Sequence, residues 1–280
     1  CRRTTKVRLY SRGLRACAPP LDLCYPRGEP DCAELSQAQS SYLQDPNPSF
    51  LLRRPLAHFT VGVIQLNTNF PRPLGDIGNP ETFGSQSIVV KLDLATVADA
   101  ISTEVIDGPL LDEMVEVALQ LEAKGCDLIT TSCGFLGPVQ SHVQANVTVP
   151  FISTSLLLLP FLKTVYSAPN DIGILTFDSR ALRPHHFVGH DIGGVVVQGL
   201  ESDTELYRVI STDERALDEE RAAREVTERV TKLIDEFGVR CVIFECTNLS
   251  PYKSQVRSAT GIAVFDLVDL VAFHRNALKG

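Results

Sequence analysis

The fold of this chain is indicated by a stretch of sequence that occurs twice. Residues 125–143 read GCDLITTSCGFLGPVQSHV, and residues 238–256 read GVRCVIFECTNLSPYKSQV. When the copies are aligned on Cys133 and Cys246, five further positions carry the same residue. These matched pairs are Gly125 and Gly238, Leu136 and Leu249, Pro138 and Pro251, Ser141 and Ser254, and Val143 and Val256. An internal repeat of this kind indicates a duplicated structural unit.

Each copy predicts the same order of local structure. An amphipathic helix ends at a glycine suited to a C-cap, and a buried strand follows. The cysteine comes just after the strand, and the proline then restarts a helix at its first position. Because ligands of open α/β sheets bind beyond the carboxyl ends of the strands, each half of the chain presents one thiol at such an edge. A helix N-terminus beside a thiol favours the thiolate, so we expect a lowered thiol pKa.

Apolar runs typical of strands alternate with helical patterns from His58 onward. The predicted strands are Phe59–Leu66, Ile88–Leu92, Leu128–Thr131, Pro150–Ser153, Ile172–Phe177, Val195–Val197, Val239–Phe244 and Ile262–Phe265. The predicted helices are Leu110–Lys124, Pro138–Ala145, Ser155–Tyr166, Ser179–His190, Asp218–Phe237, Pro251–Ser258 and Leu267–Leu278. This alternation predicts an α/β fold of parallel sheets flanked by helices.

Composition excludes several classes of protein. A hydrophobic fraction of 44% and a charged fraction of 21% are typical of a globular protein. A net charge of −8 argues against sequence-independent binding of nucleic acid. The longest apolar run, residues 151–162, contains Pro160 and is shorter than the ~20 residues of a membrane span. Cys126, Cys241 and the repeat cysteines are interpreted as reduced thiols of a cytoplasmic protein.

The first 57 residues differ from the rest. They are rich in Arg, Pro, Ser and Gln, and they show no sustained period of a strand or a helix. Such composition predicts a disordered extension. Because early arginines outnumber acidic residues, an organellar transit segment is the alternative.

Two thiols that face one ligand can invert a carbon centre. One thiolate removes a proton from the carbon, and the opposite thiol delivers a proton to the other face. The carbanion that forms next to a carboxylate needs oriented donors around its oxygens. The candidate donors are the backbone N–H groups of Gly134, Phe135, Thr247 and Asn248, the hydroxyls of Ser132 and Thr247, and the amide of Asn248.

The segments Thr131–Leu136 and Glu245–Leu249 resemble the two cysteine motifs of the aspartate/glutamate/hydantoin racemase superfamily. The loop Pro71–Phe83 resembles one branch of it, and the likeness covers residues 59–277. The resemblance implies a cofactor-independent enzyme with two pseudo-symmetric α/β lobes and an active site in the cleft between them, where each lobe contributes one cysteine. It also implies that the end of the chain returns to the first lobe. We therefore expect a first lobe of residues 58–155 plus 263–280 and a second lobe of residues 156–262.

The sequence departs from glutamate racemases at three places. Those enzymes have Cys-Asn-Thr where this chain has Cys133-Gly134-Phe135, and a histidine where it has Asn248. Asn67 stands near the place of an early Asp-Ser pair and is a candidate for substrate contact. These departures argue against glutamate and for a more apolar or bulkier substrate.

Three further residues are weaker candidates. Arg72 and Asp76 lie in a Pro/Gly-rich loop, where Arg72 could capture a substrate carboxylate or the loop could be a rigid turn. His186 resembles a family position, with a polar surface helix as the alternative. The cysteine spacings match no zinc motif, so neither a metal nor another cofactor is predicted.

The sequence therefore predicts an isomerase that racemises or epimerises a carbon next to a carboxylate or amide, with Cys133 and Cys246 as base and acid. The expected partner is a small amino-acid or hydantoin-like molecule, and a homo-oligomer stays open. The alternatives are a maleate isomerase, an arylmalonate decarboxylase-like enzyme and a non-catalytic small-molecule binding protein.

Overall fold

The computed structural model describes residues 59–84, 87–101 and 106–278. The extension predicted for residues 1–57 lies outside this part of the chain. The described residues form two four-stranded sheets, and every strand pair is parallel. The predicted α/β class with two similar parallel sheets is confirmed.

The two sheets have the same strand order, which reflects the duplication. The first sheet is ordered β2-β1-β3-β4 and the second β6-β5-β7-β8. The strands are β1 (Val61–Gln65), β2 (Ser87–Lys91), β3 (Leu128–Thr131), β4 (Phe151–Ile152), β5 (Ile172–Thr176), β6 (Val195–Gly199), β7 (Cys241–Phe244) and β8 (Ala263–Phe265). The four strands β1, β3, β5 and β7 are buried along their whole length. Strands covered on both faces are continuous apolar runs, which is why the sequence predicted these four. The positions of the other four strands were predicted as well.

Helices and 3-10 segments join the strands. The α-helices are α1 (Val97–Ala100), α2 (Gly108–Ala123), α3 (Gln140–Gln144), α4 (Leu159–Val165), α5 (Glu205–Thr212), α6 (Glu219–Phe237), α7 (Lys253–Thr260) and α8 (Leu267–Ala277). The 3-10 segments are Gly134–Val139, Ser155–Leu158, Pro184–Phe187 and Thr247–Tyr252. The matched glycines of the repeat, Gly125 and Gly238, have φ of 82° and 72°, the left-handed conformation that ends a helix.

One predicted helix was wrong, and two helices were not predicted. The helix expected over residues 179–190 is only the 3-10 turn Pro184–Phe187, because Val188 and Gly189 turn left-handed and stop it. Helices α1 and α5 were not predicted; α1 has only four residues, and α5 is amphipathic but only eight residues long.

The helix after each sheet crosses to the other sheet. Leu156 and Leu159 follow β4 of the first sheet, yet they pack with Ile172 of the second. Leu267 and Val271 follow β8 of the second sheet, yet they pack with β1 of the first. The expected boundary at residue 263 is therefore wrong for β8, which pairs with β7; only the helix beyond it lies on the first sheet.

None of the helices in the described ranges is long and apolar enough to cross a membrane.

Candidate active site

The two repeat cysteines lie at matched places on the two sheets. Cys133 follows β3 and is the residue before the 3-10 segment Gly134–Val139. Cys246 follows β7 and precedes the 3-10 segment Thr247–Tyr252. Cys133 is half-buried and Cys246 is buried, and both line one cavity. The residues that follow the carboxyl ends of β3 and β7 thus both lie at this cavity.

The cavity is narrow and mostly apolar. The empty space between its walls, the open mouth included, is about 350 Å³. Its apolar walls are Leu66, Phe70, Val97, Ile101, Phe135, Phe177 and Ile210. Its polar or glycine positions besides the cysteines are Arg72, Ser132, Gly134, Thr247 and Asn248. The enclosed volume is only about 20 Å³, roughly the room of one water molecule, so the walls must move apart to admit a ligand.

A chain of polar side chains ends at the thiol of Cys246. Asp76 is fully buried, and its Oδ1 accepts a hydrogen bond from Arg72 Nη1 at 2.8 Å. Its Oδ2 accepts one from Asn248 Nδ2 at 2.6 Å. This contact turns Oδ1 of Asn248 toward Cys246, whose Sγ donates to it across 3.5 Å. Because an amide oxygen accepts but does not donate, it stabilises the protonated thiol.

Cys133 has a different environment. The backbone N–H of Phe135 donates to its sulfur, and the positive charge of Arg72 acts on it, so both contacts lower its pKa. Burial and the carboxyl of Glu245 have the larger effect, and they raise the pKa of the Cys133 thiol to about 12. For Cys246, burial, Glu245 and Cys133 raise the pKa well above its ordinary value. The lowered thiol pKa expected from the helix N-termini is therefore wrong, because burial outweighs the partial charge of a short 3-10 segment.

Glu245 was missed by the sequence analysis. It stands between β7 and Cys246 and is fully buried. Its Oε2 accepts a hydrogen bond of 2.6 Å from Thr176 Oγ1 at the end of β5. Its Oε1 has no hydrogen-bond partner among the described residues. Burial raises the pKa of Glu245 to about 7, so near physiological pH the carboxyl is protonated in about half of the molecules.

The two halves touch beside the cysteines. Thr247 Oγ1 donates to the backbone oxygen of Ser132 at 2.6 Å, and Ser132 Oγ accepts from Leu66 N at 3.2 Å. A Cβ atom on Gly134 would lie 2.1 Å from the backbone oxygen of Glu245 and 2.3 Å from its Oε1. No side chain fits at Gly134, which gives a physical reason for glycine where glutamate racemases have asparagine.

Asp213 joins the loop after β1 to the second half. Its Oδ1 accepts from the backbone N–H groups of Asn69 and Phe70, at 2.6 and 3.1 Å. Its Oδ2 accepts from Asn69 Nδ2 at 2.8 Å. Phe70 then forms a wall of the cavity and lies under the guanidinium of Arg72, 4.7 Å from its ring centroid. A half-buried carboxylate of one half therefore positions a cavity wall from the other half.

The structure brings most of the predicted site residues together, and it leaves two outside. Cys133, Cys246, Ser132, Gly134, Phe135, Arg72, Thr247 and Asn248 line the cavity, and Asp76 supports Asn248. Asn67 is exposed and donates to the backbone oxygen of Asp93, which argues against substrate contact.

His186 also lies outside the cavity. It is buried behind Phe135, with the two rings edge to face at 5.0 Å. Its Nδ1 accepts from the N–H of Arg183, and burial lowers its pKa to about 4. A neutral, buried histidine of this kind supports the wall of the site, and the alternative of a polar surface position is wrong.

The described residues contain no group of three or more His, Cys, Asp or Glu side chains that could hold a metal ion. The acids and thiols of the site are spread along the two sheet edges.

The fold and the paired thiols define a class of two-sheet α/β proteins with a cysteine at each matched sheet edge. Residues 80–273 match the family model for Asp/Glu/hydantoin racemases, and the chain belongs to that family. The predicted superfamily is confirmed.

Solved structures show the same fold. The allantoin racemase from Pseudomonas fluorescens is 12% identical, with a TM-score of 0.51 and coverage of 78% of this chain and 90% of that chain. The allantoin racemase from Klebsiella pneumoniae is 14% identical, with a TM-score of 0.51 and coverage of 78% and 87%. At such identities the likeness concerns the fold alone.

The curated relatives are named as lyases and not as racemases. A dimethylsulfoniopropionate lyase from Durusdinium sp. clade D is 26% identical over 223 residues, which cover 76% of this chain and 73% of that protein. Dimethylsulfoniopropionate lyase 7 from Emiliania huxleyi (strain CCMP1516) is 27% identical over 219 residues, covering 75% and 64%. The chain thus spans just under three quarters of the first relative and just under two thirds of the second.

Proposed function

We propose that this chain is a cofactor-independent enzyme that removes a proton from the carbon next to a carboxylate or amide, with a cysteine thiolate as the base. The observation that carries the proposal is that Cys133 and Cys246, from matched positions of a duplication, line one cavity. The predicted outcome is racemisation or epimerisation, since a thiol on each side can exchange protons with both faces of one carbon.

The surroundings of the two thiols support a division of roles. Cys246 donates its proton to Asn248 Oδ1, which favours the neutral acid. Each thiol has one backbone N–H nearby that lowers its pKa, but the positive charge of Arg72 lowers the pKa of Cys133, whereas the negative charge of Asp76 raises that of Cys246. We therefore assign Cys133 as the base and Cys246 as the acid of the resting enzyme. In the reverse direction the two roles exchange.

Arg72 is the cation that lines the cavity, and it is the candidate to hold the substrate carboxylate. The backbone N–H groups of Thr247 and Asn248 begin a 3-10 segment at the same place. Charge that moves onto the carboxylate as the proton leaves is stabilised by donors of this kind.

A second candidate is elimination from the same carbanion. The thiolate takes the proton next to the carboxylate, the electron pair forms a carbon–carbon double bond, and a leaving group on the next carbon departs with its bonding pair. For dimethylsulfoniopropionate the products are acrylate and neutral dimethyl sulfide. Two observations favour this candidate: the names of the curated relatives, and the aromatic walls Phe70, Phe135 and Phe177, since aromatic faces attract cations such as a sulfonium.

One experiment separates the two outcomes. Amino acids, hydantoins, dicarboxylates and dimethylsulfoniopropionate are incubated in deuterium oxide and followed by proton NMR. Racemisation predicts deuterium on the carbon of recovered substrate together with loss of optical rotation. Elimination predicts acrylate and dimethyl sulfide.

Substitution of each thiol tests the base and the acid. Cys133→Ser and Cys246→Ser are expected to lower kcat by at least about 10²-fold, the usual contribution of general acid–base catalysis. Cys126→Ala is the matched control, because Cys126 is buried in the first half away from the cavity. Full turnover in both serine variants would end the proposal. Elimination needs only one thiol as base, so a serine variant that loses racemisation but still releases acrylate would favour the lyase.

A further inference from the structure

The two copies of the repeat differ at the residue directly before each cysteine. The residue before the first cysteine is Ser132, whose hydroxyl accepts an N–H from Leu66. The residue before the second is Glu245, which is fully buried. The two half-sites therefore differ by one ionisable group next to the thiols.

The carboxyl of Glu245 has little support for a negative charge. One oxygen accepts a single hydrogen bond, from the neutral hydroxyl of Thr176. The other has no partner among the described residues and lies against Gly134, where a Cβ would be 2.3 Å from it. None of the ion pairs found in the described part of the chain involves Glu245. A buried carboxylate without a cation is unfavourable, so the neutral form is the stable one below the raised pKa of about 7.

Glu245 lies beside both cysteines, since it directly precedes Cys246 in the chain and its Oε1 lies against Gly134, the residue that follows Cys133. Its negative charge raises the pKa of Cys133 and of Cys246. The other charged groups acting on these thiols are Arg72, which lowers the pKa of Cys133, and Asp76, which raises that of Cys246. Arg72 and Asp76 form an ion pair with each other, which leaves Glu245 as the unpaired acid beside the thiols.

We propose that Glu245 is a positioning residue that controls the ionisation of the thiol pair: when its carboxyl is neutral, a thiol can become a thiolate, and when it is charged, both thiols are held protonated. The catalytic consequence rests on the proposed function. The control itself is a property of the folded protein and can be measured without substrate.

The test is the rate at which iodoacetamide alkylates Cys133, followed by mass spectrometry of the labelled peptide at pH 6 and pH 9. Only the thiolate reacts. In Glu245→Gln the side chain keeps its shape and its acceptor for Thr176 but never becomes charged. At pH 6 the natural carboxyl is neutral as well, so the two proteins should react at the same rate. At pH 9 the variant should react about tenfold faster, which corresponds to one pKa unit of the thiol.

Thr176→Val gives a second test that does not alter Glu245. Loss of the hydroxyl donor destabilises the charged carboxylate and raises the pKa of Glu245 further. Glu245 then stays neutral to a higher pH, so at pH 8 this variant should alkylate faster than the natural protein. Glu228→Gln is the matched control, because it removes one exposed negative charge far along α6 and should change neither rate.

The pH dependence separates this control from loosening of the structure. A loosened site would react faster by the same factor at pH 6 and pH 9, and that result would overturn the proposal. Equal rates for the natural protein and Glu245→Gln at pH 9 would overturn it too. If the expected rates are found but no substrate is turned over, the proposed function fails while the control by Glu245 stands.

Discussion

Replacement of Gly134 by alanine tests how closely the two halves approach beside the thiols. The new Cβ would lie 2.1 Å from the backbone oxygen of Glu245, where contacts below 3.0 Å are essentially never seen. The two segments must separate by about 0.9 Å to reach that limit, and overpacking of this size costs about 3 kcal/mol. Gly134 does not have a positive φ, so backbone strain adds nothing to the cost.

The assay is urea unfolding of the natural protein and the variant, with kcat/KM measured alongside. The free energy of unfolding should fall by about 3 kcal/mol and catalysis should weaken, since the donors around the cavity move apart. Gly193→Ala is the matched control. Its Cβ would meet only the flexible side chain of Asp191 at 3.3 Å, its φ is not positive, and its expected change is within about 0.5 kcal/mol.

A double variant makes the test sharper. Gly134→Ala with Glu245→Ala removes the side-chain oxygen but leaves the backbone oxygen at 2.1 Å, so most of the stability loss should persist. If the double variant were as stable as Glu245→Ala alone, the close contact between backbones would be refuted. An unchanged stability of Gly134→Ala itself would refute the close approach of the two halves.

Other changes test the remaining parts of the site. Arg72→Lys keeps the charge but loses the planar contacts of a guanidinium with Asp76, so KM for a carboxylate substrate should rise about tenfold in steady-state kinetics. Asp213→Gly keeps the left-handed backbone and removes the acceptor of the Phe70 N–H, so the free energy of unfolding should fall by about 1 kcal/mol and KM should rise. Because the folded pKa of Glu245 is raised from 4.5 to about 7, its stabilising contribution is complete below pH 4.5 and is lost as the pH rises to 7. Urea unfolding should therefore show the natural protein losing about 3 kcal/mol relative to Glu245→Gln across that window; a difference that does not change with pH would contradict the raised pKa.

The sheets were predictable because their chemistry is local. A strand covered on both faces must be apolar along its length, and the duplication repeats the pattern. The path after the second sheet was harder, because β8 joins the second sheet while the helix beginning at Leu267 packs on the first. That crossing depends on which sheet face is left uncovered, and such information is spread over the whole chain.

The thiol pair was predictable from the repeat, and its surroundings were not. Ile210 and Val97 lie on two short helices that the sequence did not predict, so they were not expected as cavity walls. Phe70 is positioned by Asp213, which is 143 residues away along the chain. Glu245 resembles any other acidic residue in the sequence, and only its burial next to a glycine without room for a side chain distinguishes it.

The unequal neighbours of the two thiols limit what kinetics can reveal. Two enantiomers have the same free energy in water, so a racemase must have equal kcat/KM in the two directions, however different Cys133 and Cys246 are. The asymmetry created by Glu245 and Asn248 can appear only in kcat and KM separately. The enantiomer with the higher kcat must also have the higher KM, by the same factor. Elimination has no such constraint, because substrate and products differ in free energy. Racemisation therefore predicts equal kcat/KM for the two enantiomers with kcat values that differ twofold or more, and unequal kcat/KM values would contradict it.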